Sequence, residues 1–129
     1  MTPYDQEVRR VEKPWGYELH FALTDRYCGK VLFVRAGESL SLQYHEVKDE
    51  TLYLQSGRAQ VTLGTAQDSL EIVEAGPGAA FHVTPGTVHR VTAIDDTTFL
   101  EVSTAELEDV VRLEDRYGRA RAAPTDLPA

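Results

Sequence analysis

The sequence predicts an all-β fold, a sandwich or barrel formed by a single domain. Short segments rich in valine, leucine, phenylalanine, tyrosine and threonine recur about every 8 to 12 residues, separated by glycine, proline or aspartate. With 129 residues, 42% of them hydrophobic, the chain can bury one core but not two. We expect the domain to occupy residues 1–119, including an N-terminal arm, ahead of a disordered tail at 120–129. The predicted strands are 16–21, 30–35, 40–45, 51–55, 59–63, 70–74, 80–83, 89–94 and 98–103.

A helical pattern is confined to the C-terminal part of the chain. Ser103 and Glu106 have the spacing of a capping box, in which each side chain binds the other residue's backbone amide. Leu107, Val110 and Val111 follow at helical spacing. The sequence therefore predicts a short C-terminal helix or extension after the last strand.

Charge and composition restrict the partners. The formal net charge is −8, which argues against a nucleic-acid partner because binding to the phosphate backbone depends on lysine and arginine. No apolar run approaches the roughly 20 residues that cross a bilayer, so no membrane insertion is expected. Cys28 is the single cysteine, and we expect no secretory leader. These features favour a cytoplasmic location.

The segment 38–45 carries polar and apolar side chains in strict alternation. Because side chains of a strand point alternately to its two faces, one face consists of Ser39, Ser41, Gln43 and His45. Leucine and tyrosine occupy the opposite face. Taken alone, this pattern is ordinary for a half-exposed strand.

Two further residues place ligand-type side chains on apolar faces. Glu50 shares its side of a predicted strand with Leu52, and His89 shares its side with Val91. A carboxylate on an apolar face must be paired, protonated or bound to a metal, because an isolated buried charge is very costly. A histidine or glutamate alone would more often be a satisfied core residue.

Together, these residues predict a site for one divalent metal. The four expected ligands are Gln43, His45, Glu50 and His89. Two imidazoles, one carboxylate and one amide oxygen favour zinc, with manganese, iron, cobalt or nickel as alternatives.

Two spaced motifs resemble those of the cupin superfamily. The first covers residues 37–57: glycine, five residues, Gln-Tyr-His, four residues, glutamate, six residues and glycine, with Gln43 in place of the usual first histidine. The second covers residues 78–89, with Thr84 where proline is usual, and Ala93 follows where asparagine is usual. The resemblance implies a single-domain cupin, a double-stranded β-helix or jelly-roll barrel.

The Ser-x-Gln-x-His segment that ends at His45 looks like one cupin branch, the type II phosphomannose isomerases (mannose-6-phosphate isomerases). The resemblance extends over most of the chain to the C-terminal cupin domain of bifunctional guanylyltransferase and isomerase proteins. It implies a metal-dependent interconversion of mannose 6-phosphate and fructose 6-phosphate, or of a related sugar. The expected partners are a small sugar or sugar phosphate and a second copy of the chain in a homodimer. Further landmarks of the resemblance are residues 13–18, 85–90, 100–102 and 111–119.

An isomerase of this kind moves a proton between C1 and C2 of the sugar. Glu50 and His82 are the candidate bases, although the interpretation of His82 as a surface or barrel-wall histidine is slightly favoured over a catalytic role. Lys30 and Arg90 are candidate catalytic and substrate-binding cations, and Ser41 adds a hydroxyl. For Arg90, an exposed salt bridge is an alternative.

Two other functions are compatible with this motif set, because cupins serve many activities. One is a non-catalytic or regulatory cupin that binds a metal and a carbohydrate. The other is a different small-molecule enzyme such as a metal-dependent oxygenase, although such sites more often use three histidines, and Gln43 weakens an iron-redox interpretation.

Overall fold

The computed structural model describes residues 2–119, and all regular structure in that range is β-strand. The strands are β1 (Arg9–Lys13), β2 (Gly16–Leu23), β3 (Cys28–Val34), β4 (Leu42–Tyr44), β5 (Glu50–Ser56), β6 (Ala59–Gly64), β7 (Leu70–Ala75), β8 (Ala80–Val83), β9 (Val88–Ala93), β10 (Thr97–Ser103) and β11 (Val111–Glu114). Each of the nine predicted strands is present, and β1 and β11 are additional. The predicted tail at 120–129 lies outside the described residues.

The strands form two antiparallel sheets that face each other. The first sheet has the order β1-β2-β3-β10-β5-β8, and the second has the order β11-β4-β9-β6-β7. Strands distant in sequence, such as β3 and β10, are therefore neighbours, as in a jelly roll. The all-β jelly-roll prediction is confirmed.

Alternating side chains of both sheets fill the space between them. Leu54 and Phe99 point inward from the first sheet and Val61 from the second, each with at most 1% of its surface exposed. This apolar core occupies one end of the sandwich. At the other end, the inward positions of the same strands carry charged and polar residues, among them Lys30 on β3 and Glu101 on β10.

The glycine that closes the first motif is required by the turn between β5 and β6. Gly57 has a φ of 95°, a conformation that residues with a side chain rarely adopt. A Cβ atom there would lie 2.3 Å from the backbone oxygen of Asp96. The turn can therefore pack against the chain before β10 only with glycine at this position.

The predicted C-terminal helix is wrong, whereas an extension is present. The Glu106 carboxylate accepts a hydrogen bond from the Thr104 hydroxyl at 2.7 Å, instead of reaching the backbone of Ser103. Ser103 lies within β10, paired with neighbours on both sides. The following residues form β11, which pairs with β4 and satisfies backbone groups that would otherwise be exposed at the sheet edge.

No helix in the described part of the chain is long and apolar enough to cross a membrane.

The outer face of the six-stranded sheet exposes apolar side chains, including Phe21, Tyr53 and Val102. The homodimer expected from the sequence stays a prediction.

Candidate metal centre

A cavity of about 100 Å³ opens at the polar end of the sandwich. The six-stranded sheet contributes charged side chains to it, and the second sheet with its adjoining residues contributes imidazole, amide and hydroxyl groups. The residues central to the site are Glu18, Lys30, Ser41, Gln43, His45, Lys48, Glu50, His89 and Glu101. Most of them occupy inward strand positions, and the inward positions of the same strands at the other end of the sandwich are apolar, whereas Lys48 lies in the loop between β4 and β5.

Three of the predicted ligands come together at this cavity. One donor atom from each of His45, Glu50 and His89 lies within 4.8 Å of the other two, and all three residues are buried. The Nε2 atom of His45 is 2.6 Å from Glu50 Oε2, and that of His89 is 3.7 Å from the same oxygen. The two imidazole rings are 5.0 Å apart.

The opposite nitrogen of each ring is held by a backbone carbonyl. His45 Nδ1 donates to the oxygen of Asp109, and His89 Nδ1 donates to that of Thr87 at 2.9 Å. A neutral imidazole that donates through Nδ1 has its lone pair on Nε2. Burial lowers the pKa of His89 and so favours this neutral form. Both rings therefore present a ligand atom toward Glu50.

The chemistry of this cluster fits a divalent cation. Burial opposes ionisation of Glu50, but His45 and His89 in their protonated forms, together with the Lys48 ammonium, outweigh it and lower the pKa of the carboxyl to about 2. Glu50 Oε2 is nevertheless buried without a hydrogen bond of proper geometry from residues 2–119. A buried anionic oxygen facing two imidazole lone pairs is costly unless a cation lies between them. Two nitrogen ligands and one carboxylate oxygen suit zinc and its borderline neighbours.

Gln43 lies beside this cluster. It pairs directly with His89 across β4 and β9, and its side chain lines the cavity. The amide nitrogen donates to the Ser41 hydroxyl at 3.0 Å and to the Ser41 carbonyl at 3.3 Å. This arrangement leaves the amide oxygen as the atom available to a ligand.

The predicted substrate-binding cations differ in their surroundings. Lys30 is buried in the cavity wall with Nζ 3.5 Å from Glu18 Oε1. Arg90 also lines the cavity, but its guanidinium donates to the backbone oxygen of Leu40 and pairs with Glu114 on β11. Arg90 thus makes the salt bridge that was its alternative interpretation.

His82 does not reach the cavity. Its side chain is 60% exposed on the outer side of β8, and Nε2 lies 2.7 Å from an oxygen of Asp49. The neighbours Phe81 and Val83 turn inward, as strand alternation predicts, so His82 faces solvent. This position does not support the catalytic role considered for His82.

Sequence reasoning assigned no role to the Lys48–Glu101 pair. Lys48 Nζ lies 3.0 Å from Glu101 Oε2 and 3.9 Å from Glu50 Oε2, and all three side chains are buried. Burial opposes the charge of Lys48, but the two carboxylates raise its pKa. Glu101 alternates with the apolar Phe99 along β10, so it lies on an apolar face of its strand, as Glu50 does.

Asp109 organises the loop that carries His45 and Lys48. Its carboxylate accepts hydrogen bonds from the backbone amides of residues 46–48, at 3.0, 2.7 and 2.8 Å. Its backbone oxygen accepts the His45 Nδ1 proton. No local sequence pattern links positions 64 residues apart, so this role could not be predicted.

The sequence matches a family model described as mannose-6-phosphate isomerase C-terminal, over residues 3–115. It is 32% identical over 116 residues to mannose-1-phosphate guanylyltransferase ManC from Salmonella typhimurium. That match covers 86% of this chain and 23% of ManC, so the chain spans about a quarter of the length of this relative.

Solved structures with this fold share little sequence with the chain. KdgF from a Halomonas species has a TM-score of 0.66 at 20% identity, covering 84% of this chain and 95% of KdgF. Oxalate decarboxylase from Bacillus subtilis has a TM-score of 0.67 at 18% identity, covering 88% of this chain and 31% of the decarboxylase. These similarities support the predicted cupin fold. By its sequence match, this chain belongs to the mannose-6-phosphate isomerase C-terminal family of cupin domains.

Proposed function

We propose that this chain is a metal-dependent sugar-phosphate isomerase domain that interconverts mannose 6-phosphate and fructose 6-phosphate or a closely related pair. The observation that carries the proposal is the buried cluster of His45, Glu50 and His89 at a cavity also lined by lysine and arginine. Family membership supports the same reaction.

The proposed metal ligands are His45, Glu50 and His89, with the Gln43 amide oxygen as the fourth. When bound, a divalent metal supplies Lewis acidity toward the oxygens on C1 and C2 of the sugar. The backbone carbonyls at Thr87 and Asp109 keep both imidazoles in the tautomer that binding requires. Four protein ligands still leave room for substrate if coordination expands beyond four.

Glu101 is the group we assign to proton transfer. It is buried in the cavity wall, where Lys48 is its ion-pair partner. Glu50 is committed to the metal cluster and Glu18 to His20 and Lys30. Glu101 takes the proton from C2 of the aldose, leaving an enediol, and returns it to C1, while the hydroxyl proton on O2 passes to O1. The Lys48 ammonium, 3.0 Å from Glu101 Oε2, stabilises the negative charge that develops on the sugar oxygens.

Apolar residues close the remaining wall of the cavity. Leu107 and Val110, from the segment before β11, line it together with Leu52. This wall excludes water from the enediol and strengthens the electrostatic contacts inside.

The proposal is tested by incubating the zinc- or manganese-loaded protein with mannose 6-phosphate and following fructose 6-phosphate. We expect turnover in the wild type, loss of metal and turnover in a His45→Ala, His89→Ala double variant, and no change in His82→Ala, which removes an exposed histidine. If the protein binds mannose 6-phosphate but converts it with none of the metals supplied, catalysis is contradicted and a carbohydrate-binding module is favoured.

A further inference from the structure

Cations outnumber carboxylates along the cavity, although the whole chain has a formal net charge of −8. Six lysine and arginine side chains line the cavity, against three glutamates. Four of the six cations have a carboxylate at ion-pairing distance: Lys30, Lys48, Arg90 and Arg119. Within residues 2–119, no carboxylate pairs with the remaining two, Lys13 and Arg112.

Lys13, Arg112 and Arg119 are close enough to influence one another. Burial is the largest cause that lowers the pKa of Lys13 and of Arg112, and the charge of Arg119 lowers both further; Glu18 opposes the effect on Lys13, and Asp115 and Glu18 oppose the effect on Arg112. The Nε atom of Arg112 is buried and makes no hydrogen bond within the described residues. A cluster of half-buried cations with an unused donor is stabilised when an anion joins it.

The sheet register places this cluster at a defined distance from the metal centre. Arg112 pairs with Gln43, and Gln43 pairs with His89, so the three residues form one row across β11, β4 and β9. With neighbouring strands about 4.8 Å apart, the backbones of Arg112 and His89 are separated by about 10 Å. All three side chains line the cavity. A six-carbon sugar with a terminal phosphate spans such an interval.

We propose that Lys13, Arg112 and Arg119 form the subsite for the phosphate group of a sugar phosphate whose other end lies at His45, Glu50 and His89. The position of the sugar rests on the proposed function, whereas the anion subsite rests on the cation cluster itself. Arg112 has no carboxylate partner among the described residues and stands in the same row as Gln43 and His89, so it donates directly to the phosphate. Arg119, which Asp115 holds through two hydrogen bonds, supplies an oriented charge.

Arg112, rather than the candidate substrate-binding residue Arg90, is then the main phosphate contact. The three donor atoms of Arg90 all face Leu40 or Glu114, so the guanidinium is already occupied. Lys30 remains in the wall, but its charge is offset by Glu18.

The test measures the affinities of the metal-loaded full chain for inorganic phosphate, mannose 6-phosphate and mannose by calorimetry. Lys13→Met and Arg112→Gln are each expected to weaken both phosphate ligands about tenfold or more, with mannose and metal content unchanged. Arg112→Lys is expected to retain part of the affinity. Arg26→Gln, which removes a charge from an exposed turn outside the cavity, is the matched control.

The phosphate subsite is contradicted if inorganic phosphate does not bind the wild type. It is equally contradicted if Lys13→Met and Arg112→Gln bind phosphate as tightly as Arg26→Gln. Lys13 is half-exposed on an edge strand, so its variant tests the subsite even if Arg112→Gln does not fold. If phosphate affinity falls as expected while the wild type fails to interconvert the two sugar phosphates, the subsite stands and the proposed isomerase activity does not.

Discussion

The backbone oxygen of Asp109 accepts the Nδ1 proton of His45, while the carboxylate of the same residue binds three successive backbone amides of the loop after His45. One residue thus orients a proposed metal ligand and shapes the loop that delivers Lys48. Outer contacts of this kind set ligand orientation and affect metal affinity by about 10- to 100-fold.

Replacement of Asp109 by alanine removes the loop contacts while keeping the backbone carbonyl. We expect zinc affinity to fall about tenfold, because the segments that carry His45 and Asp109 are no longer held together. Competition with a fluorescent zinc chelator measures the affinity. Glu108→Ala, an exposed neighbour on the same segment, is the control; equal affinities of the two variants would contradict this role for Asp109.

Bound metal is expected to stabilise the fold. A ligand that binds only the folded state adds about 2.7 kcal/mol to the free energy of unfolding at a hundredfold excess over its Kd. Thermal melting with increasing zinc is expected to show a rising midpoint for the wild type and for His82→Ala, but not for His89→Ala. A zinc-dependent shift of the same size in His89→Ala would remove this histidine from the ligand set.

Glu101→Gln separates proton transfer from metal binding. The amide has nearly the same shape as the carboxylate but cannot act as a base, and loss of a general base typically costs about 10²- to 10⁴-fold in rate. We expect kcat for mannose 6-phosphate to fall by that factor, with bound metal and KM little changed. Retention of more than a tenth of the wild-type kcat would show that another group moves the proton.

The alternation of side chains along strands explains which parts of the fold and site could be predicted from sequence. Glu50 and His89 each stand on an apolar face of their strands, and the structure buries both at the cavity. Local alternation identifies such residues without any knowledge of sheet pairing. Glu101 alternates with Phe99 along β10 in the same way and is also buried at the cavity.

The remaining features depend on contacts between distant segments. Val110 and Val111 fit a helix locally, but the unpaired edge of β4 recruits β11, and tertiary pairing overrides the local pattern. His82 alternates with Phe81 and Val83 along β8, yet alternation alone does not show which face of this edge strand packs against the other sheet. Lys13 and Arg112 line the same cavity because of the sheet topology, which no periodicity in the sequence reveals.

The apolar end of the sandwich is expected to determine stability. Phe99 has no exposed surface, and Phe99→Ala is expected to lower the free energy of unfolding by about 3 to 5 kcal/mol through lost burial and the cavity that remains. Val102→Ala, three residues along the same strand but 58% exposed, is expected to change it by less than about 0.5 kcal/mol. Urea denaturation measures both, and similar losses would contradict the placement of the core.

The Asp115–Arg119 pair predicts a specific sensitivity to acid. Burial opposes ionisation of Asp115, but hydrogen bonds from Arg119 and from backbone amides outweigh it, so the pKa of Asp115 is lowered. A carboxyl with a lowered folded-state pKa stabilises the protein above its unfolded-state pKa, and that contribution is lost as the pH falls through the folded-state value. The stability of the wild type is therefore expected to fall more steeply below about pH 4 than that of Asp115→Asn. Urea titrations between pH 3 and pH 7 compare the two proteins, with Asp25→Asn in the exposed β2–β3 turn as the control; parallel curves for all three would show that the pair adds no stability.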